Sequence, residues 1–295
     1  MKIAVLSGKG GAGKTFVAVN LAAVLPGCTY IDCDVEEPNG KIFFKPEIDK
    51  IHDAVSMIPE FSGERCTGCR KCVEFCAFNA LFYIKEKPKV LAEVCHSCGG
   101  CQLVCPEGAI TEKKRAVGTV EEGYGGNVCV VTGILNIGEA SGIPAIEKAL
   151  EVGTIQATGA GQGTEGSKES FYSAVQVIDC PPGSACSVMA AISDADYCIL
   201  VAEPTAFGLH NLEMVYDLTQ IMKKRCGLVV NKGEKPYVPL QEFSRKNQID
   251  ILLKIPFSRE IAALTSAGNI AVETDVFLKE QFMEMYQKIR RCVEP

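Results

Sequence analysis

The sequence has no apolar run long enough to span a bilayer, so no part of it is expected to cross a membrane. It has no basic run longer than Lys113-Lys114-Arg115 and carries a net charge of −6, whereas general nucleic-acid binding calls for a basic field. Its first residues lack the unbroken apolar core of a secretion signal, because Lys9, Lys14 and a group of glycines interrupt it. A cytoplasmic protein is expected. In that compartment sixteen cysteines point to metal ligation and not to disulfides. What is present is ordinary for a globular chain: 295 residues, 47 % hydrophobic and 22 % charged, enough for one large α/β domain or a medium domain plus a small one.

Residues 7–15 read Ser-Gly-Lys-Gly-Gly-Ala-Gly-Lys-Thr, which fits the phosphate-loop pattern G-x-x-x-x-G-K-[ST]. A strand is expected over residues 1–6 and a helix over 15–25, the setting that the pattern needs. Gly8, Gly10, Gly11 and Gly13 let successive N–H groups turn onto an anion, and the helix that follows aims its positive end at the same place. Ala12 and Phe16 belong to the same nucleotide-contacting stretch. Lys14 is read as the ligand of the β- and γ-phosphates and the Thr15 hydroxyl as a Mg²⁺ ligand.

Lys9 is not needed to cradle phosphate within one chain, and the form K-G-G-x-G-K-T resembles the deviant Walker A ATPases of the MinD, ParA, Mrp and nitrogenase iron protein group. The resemblance implies a P-loop α/β fold with a mostly parallel sheet flanked by helices. It also implies an ATP-dependent homodimer in which Lys9 reaches the nucleotide of the other subunit. Asp32-Cys33-Asp34, at the end of a strand expected over residues 28–32, matches the family's first switch. By resemblance Asp34 orients the attacking water and Asp32 helps position Mg²⁺.

A strand over residues 174–178 leads into Asp179-Cys180-Pro181-Pro182-Gly183. An apolar strand ending in Asp179 is the Walker B pattern for Mg²⁺, and by resemblance the Gly183 N–H senses the γ-phosphate. Further strands are expected over residues 197–202 and 226–230. The resemblance assigns Asn231 to the adenine edge and Pro256 and Phe257 to the segment closing over the base. Asn231-Lys232-Gly233-Glu234 also approaches a guanine-reading pattern, so GTP stays open beside ATP/ADP at this point.

Between the two switches the chain reads Cys66-x-x-Cys69-x-x-Cys72-x-x-x-Cys76 and then Cys95-x-x-Cys98-x-x-Cys101-x-x-x-Cys105-Pro106. This doubled spacing is the bacterial two-cluster ferredoxin pattern, in which the fourth cysteine of each run ligates the other cluster. That rule gives one [4Fe–4S] cluster to Cys66, Cys69, Cys72 and Cys105, and a second to Cys95, Cys98, Cys101 and Cys76. Zinc is the competing reading, but a structural zinc site has no use for the regular third and fourth cysteines. Ala77 replaces the usual proline after Cys76, and His96 is expected to be a solvated loop residue. Residues 61–111 are therefore read as a small α+β ferredoxin-like domain inserted into an ATPase of residues 1–60 and 112–295.

A helix is expected over residues 143–152 and a mobile Gly/Ser-rich loop over 153–170. A last helix over residues 275–291 would place Phe277, Leu278, Phe282, Met285, Tyr286 and Ile289 on one core-facing side, and membrane binding through it is not expected. Cys186 resembles in spacing a cluster ligand of the nitrogenase iron protein, but one such cysteine per subunit cannot complete a bridging site. The expected activity is an ATPase coupling nucleotide state to electron transfer toward an unidentified redox partner. The alternatives are a cofactor-assembly factor and a positioning ATPase with structural or redox-sensing clusters.

Overall fold

Strands that are apolar on both faces are stable only between two layers of helices. The computed structural model describes residues 1–158 and 174–294. Its strands are β1 (Lys2–Leu6), β2 (Thr29–Asp32), β3 (Glu47–Phe61), β4 (Leu81–Ile84), β5 (Lys87–Val90), β6 (Ile110–Gly125), β7 (Val128–Leu135), β8 (Gln176–Asp179), β9 (Tyr197–Ala202), β10 (Arg225–Asn231) and β11 (Ile251–Ile255). The helices are α1 (Lys14–Ala23), α2 (Gly40–Phe44), α3 (Lys71–Phe75), α4 (Gly100–Leu103), α5 (Ile143–Thr158), α6 (Cys186–Ile192), α7 (Ala206–Ile221), α8 (Val238–Lys246), α9 (Arg259–Ser266), α10 (Ala271–Thr274) and α11 (Val276–Val293).

Among the described residues one sheet runs β11-β10-β9-β1-β8-β2-β7-β6-β3, and β4 and β5 form a separate hairpin. From β11 to β7 the strands are parallel, with β1 and β2 on either side of β8. Strands β1, β2, β8 and β9 are buried nearly throughout. Apolar residues on one face of the sheet pack with α1, α10 and α11, and those on the other with α5, α6 and α7. The chain is thus an α/β fold with a mostly parallel sheet.

At the β7 edge the sheet turns antiparallel. β6 pairs with β7 only over Gly118–Gly125, opposite Leu135 back to Val128. The earlier part of β6 continues past the end of β7 and pairs with β3 alone, out to Phe61 opposite Ile110. The register slips where the two parts meet, between Ala54 and Val55, leaving Val117 as the extra residue of a bulge. Residues 62–109, which hold both cysteine runs, lie between the ends of this extended pair.

Two expectations need correction. The helix expected over residues 143–152 runs to Thr158, because Val152, Gly153 and Gln156 are buried and continue its inner face. The loop expected over 153–170 is therefore helical at its start, and 159–170 lie outside the described residues. On α11, Leu278, Phe282, Met285 and Ile289 are buried and Tyr286 is partly so, but Phe277 is 69 % exposed. Asp275 caps this helix through the Leu278 N–H, which turns Phe277 outward.

Candidate nucleotide cleft and cysteine pockets

The chain leaves β1 at Ser7 and enters α1 through Gly13, whose φ of 95° sets the turn. A side chain on Gly13 would begin 2.0 Å from Asn231 Nδ2, so glycine is required by its neighbour as well as by its backbone. That amide closes β10 and donates to Ala12 O at 2.9 Å, while Lys232 Nζ donates to Gly11 O at 2.7 Å. Two consecutive residues at the end of a strand thus brace the loop. Gly8 packs against the Asn211 backbone, where a side chain would begin 2.2 Å from the carbonyl oxygen.

Above the loop lies a cleft of about 900 Å³. Of the residues singled out in the sequence, Lys9, Gly10, Gly11, Gly13, Lys14, Thr15, Phe16, Asp34, Asn231, Pro256 and Phe257 line it. Gly8, Ala12, Asp32, Asp179 and Gly183 do not. Ala12, Asp32 and Asp179 are buried behind its wall. Glu234 instead lines an adjacent groove with Lys235 and Tyr237.

Lys14 Nζ lies 2.6 Å from Asp179 Oδ1 and 3.4 Å from Asp34 Oδ2. Burial disfavours its charge, but the carboxylates of Asp179, Asp34 and Asp32 outweigh that and hold it above the usual lysine range. Tyr30 donates its hydroxyl to the other Asp179 oxygen at 2.9 Å. Asp32 accepts from the Asp34 and Gly40 N–H groups. Burial, and then the Asp179 charge, push the Asp32 carboxyl up to about 8. Burial and the Asp179 charge also raise Asp34, with Lys14 opposing. Three carboxyls share one ammonium here, so the cluster carries surplus negative charge that a divalent cation relieves. Oxygen donors suit Mg²⁺.

The Gly183 N–H donates to Ser7 O at 2.9 Å, with Gly183 at φ 94°. Lys9 Nζ folds onto Glu203 of its own chain at 2.6 Å and lies 5.2 Å from the Phe207 ring centre. The other Glu203 oxygen takes Lys232 at 2.9 Å. Burial works to raise Glu203, but hydrogen bonds from Lys9 and Lys232 prevail and hold it below the ordinary carboxylate range.

The eight spaced cysteines gather into two sets. Cys66, Cys69, Cys72 and Cys105 surround one void of about 20 Å³, which Ile110 also lines. Cys76, Cys95, Cys98 and Cys101 line a second cavity of about 360 Å³. Each set holds three cysteines of one run and the fourth of the other. Among the described residues no three metal-ligating side chains converge tightly enough for a single ion. A cubane is larger than one ion and spreads its thiolates. Burial, and then the charges of Cys95, Cys72 and Cys98, push the Cys101 thiol up to about 11, so a positive core beside it would favour its thiolate. Backbone N–H groups already point at sulfur: Ala109 at Cys105, Ser97 at Cys95 and Gln102 at Cys101. The thiolate chemistry of both donor sets suits a [4Fe–4S] group, although the void at the first set is smaller than a cubane. His96 is exposed as expected, but it stacks on Phe78 with ring centres 3.9 Å apart.

Lys232 lines the cleft without having been singled out for it, while Tyr30 and Glu203 bond to Asp179 and Lys9 from outside its lining. Tyr30 carried a signal, because it stands two residues before Asp32 on β2 and so faces the same way. Glu203 carried none, being 194 residues from its partner Lys9.

Comparison with known proteins agrees with this architecture. An uncharacterized protein of Methanocaldococcus jannaschii is 26 % identical over 299 residues, covering 99 % of this chain and 98 % of its own. The indolepyruvate oxidoreductase subunit IorA of Pyrococcus horikoshii is 40 % identical over a short stretch of 60 residues, 20 % of this chain and 9 % of that protein. Among solved structures, the septum site-determining protein MinD of Pyrococcus horikoshii complexed with Mg-ADP is similar in fold. It has a TM-score of 0.57 and 16 % identity, covering 99 % of this chain and 97 % of that one. The sequence model of the CobQ/CobB/MinD/ParA nucleotide binding domain matches residues 3–271, from the first strand of the sheet to the start of α10, and the chain belongs to that family.

Proposed function

We propose that the protein is a Mg²⁺-dependent ATPase whose nucleotide state governs electron transfer through two [4Fe–4S] clusters to a protein partner. The observation that carries this reading is the sorting of eight cysteines into two sets of four on the same chain as a family P-loop cleft. In this reading residues 61–111 are a ferredoxin-like domain inserted into an ATPase of residues 1–60 and 112–295. When bound, the clusters supply one-electron storage at low potential.

The chain's own groups divide the nucleotide work. Lys14 exchanges Asp179 for phosphate oxygens, and the N–H groups of residues 10–15 complete the anion cradle. Thr15, Asp32 and Asp179 would hold Mg²⁺. Asp34, half-buried at the cleft wall, orients the attacking water. Gly183 leaves Ser7 for the terminal phosphate, which moves the start of α6. Lys9 leaves Glu203 to reach the nucleotide of a second subunit, giving an ATP-dependent homodimer. Asn231, Pro256 and Phe257 bound the base, and the turning of Glu234 away from the cleft favours adenine over guanine.

Anaerobic purification followed by iron and sulfide counting, EPR after reduction and Mg-ATPase assay tests the reading directly. About eight irons per chain and a reducible cluster signal that changes with ATP are expected. An ATPase that contains no iron sinks it. The fold likeness to MinD over the whole chain favours one second reading, a positioning ATPase. In that case oxidative loss of the clusters leaves hydrolysis and self-association unchanged. Iron passing to an apo-acceptor would instead identify an assembly factor.

A further inference from the structure

The protein is acidic overall, with a net charge of −6, but residues 64–89 hold six lysines and arginines against three glutamates. These are Arg65, Arg70, Lys71, Lys85, Lys87 and Lys89, and all six are exposed. Among the described residues none of the six has a carboxylate within ion-pair distance, as is also true of Lys246 and Lys279 elsewhere on the chain, so what sets this stretch apart is the clustering.

Two separate loops bring this charge together. Tyr83, on β4, donates its hydroxyl to Gly68 O and Glu86 O, which ties the β4–β5 turn to the first cysteine loop. The Arg70 guanidinium stacks 4.5 Å from the Tyr83 ring centre. Lys87 Nζ lies 3.2 Å from where a Gly63 side chain would begin. Cys69, the exposed member of the first cysteine set, sits within this rim, with Arg70 and Lys71 lining the same void. Glu107 also borders the void, and Glu64 and Glu86 interrupt the rim, so the positive field is local.

We propose that this basic rim is the docking surface for an acidic one-electron carrier protein, which reaches the first cluster at Cys69. The proposal rests on the electron-transfer reading and names the chemistry of its partner. Unpaired, exposed cations around an exposed ligand steer a carrier of opposite sign and are screened by salt. Around the second cysteine set the described cations are mostly paired, Lys113 with Glu60 and Arg115 with Glu93 and Glu139, which leaves Lys114. Phe75, Phe78 and Val94 are exposed around that set, with Glu93 and Glu112 nearby. In docking at the first set the reduced carrier loses one electron, and one cluster gains it.

The test uses anaerobic holoprotein and, as probe, an acidic [2Fe–2S] ferredoxin. Binding of the oxidised probe is measured by titration calorimetry, independently of any turnover. Binding is expected at low salt, weakened roughly tenfold or more by Lys85→Glu/Lys87→Glu and by raising salt to about 0.5 M. The matched control, Lys246→Glu/Lys279→Glu, has the same net charge and should shift affinity less than about twofold. Iron counts and EPR after reduction by methyl viologen radical cation report separately on whether each variant keeps reducible clusters. Absence of binding at low salt, salt-insensitive binding or equal weakening by the control overturns the docking proposal. A protein without reducible iron overturns the electron-transfer reading itself.

Discussion

Lys14 and Asp179, 165 residues apart in sequence, meet at 2.6 Å with both side chains almost wholly buried. The phosphate-binding lysine is therefore part of the folded core before any nucleotide arrives. Lys14→Met should abolish nucleotide binding and also destabilise the ligand-free protein. Removing one partner of a buried ion pair leaves the other uncompensated, which costs about 3–5 kcal/mol. Denaturant unfolding without nucleotide checks this, and a variant as stable as wild type would show that the ammonium is not holding the carboxylates.

The Lys9–Glu203 pair should behave differently because it is only partly buried. Pairs of that kind contribute about 0–1 kcal/mol, so Lys9→Ala should unfold almost as wild type does. Its defect should appear in assembly. Nucleotide binding to the monomer persists, while sedimentation with a non-hydrolysable ATP analogue no longer shows a dimer and hydrolysis largely stops. A loss of monomer binding with self-association intact would assign Lys9 to its own loop.

Asp32 makes nucleotide binding depend on pH with a definite sign. Its folded-state value of about 8 lies above the unfolded carboxylate value of about 3.9, so the ligand-free fold binds the extra proton between them. Stability of the ligand-free protein therefore falls as pH rises through that window. Mg-ATP reverses the preference by favouring the ionised form, so binding near neutrality should release a proton and tighten as pH rises toward 8. Calorimetry in buffers of different ionisation enthalpy measures that proton. Asp32→Asn should remove it, and proton uptake in the wild type would refute the assignment.

Cys105→Ser and Cys76→Ser should each halve the iron content from about eight to about four. They should spare opposite clusters. Cys105 lines the void with Cys66, Cys69 and Cys72, so its loss leaves the cluster of the second run intact. EPR of each variant decides the crossing, and loss of the Cys95, Cys98 and Cys101 cluster from the Cys105 variant would reverse it.

Local patterns were the ones the sequence carried most clearly. Strand β9 lies at residues 197–202, as read from its apolar run, and the eight spaced cysteines line two cavities. Strand β3 escaped because residues 47–53 are mostly charged, with only Ile48 and Ile51 apolar, and almost all are exposed on a long edge strand, so neither an alternation nor a buried run marks it. The extension of α5 was hidden by Gly153, which reads as a breaker but fits against Ile31, where a larger residue would clash. Contacts between distant segments, such as Lys9 with Glu203, leave no trace in spacing.

The extended β3–β6 pair also governs what can approach the cleft. Parallel β1, β2, β8 and β7 all end on the P-loop side of the sheet, and β6 runs on beyond Leu135 on that same side. The eight residues from 110 to 117 rise about 27 Å past the end of β7 at ordinary strand spacing. They stand like a parapet along one margin of the nucleotide-binding end. A molecule laid face to face across that end has to clear the projection or be shaped around it. Two copies of this chain laid that way, each with its own projection, have to interlock or offset. Pairing across the cleft is thus filtered by shape before any lysine or phosphate takes part.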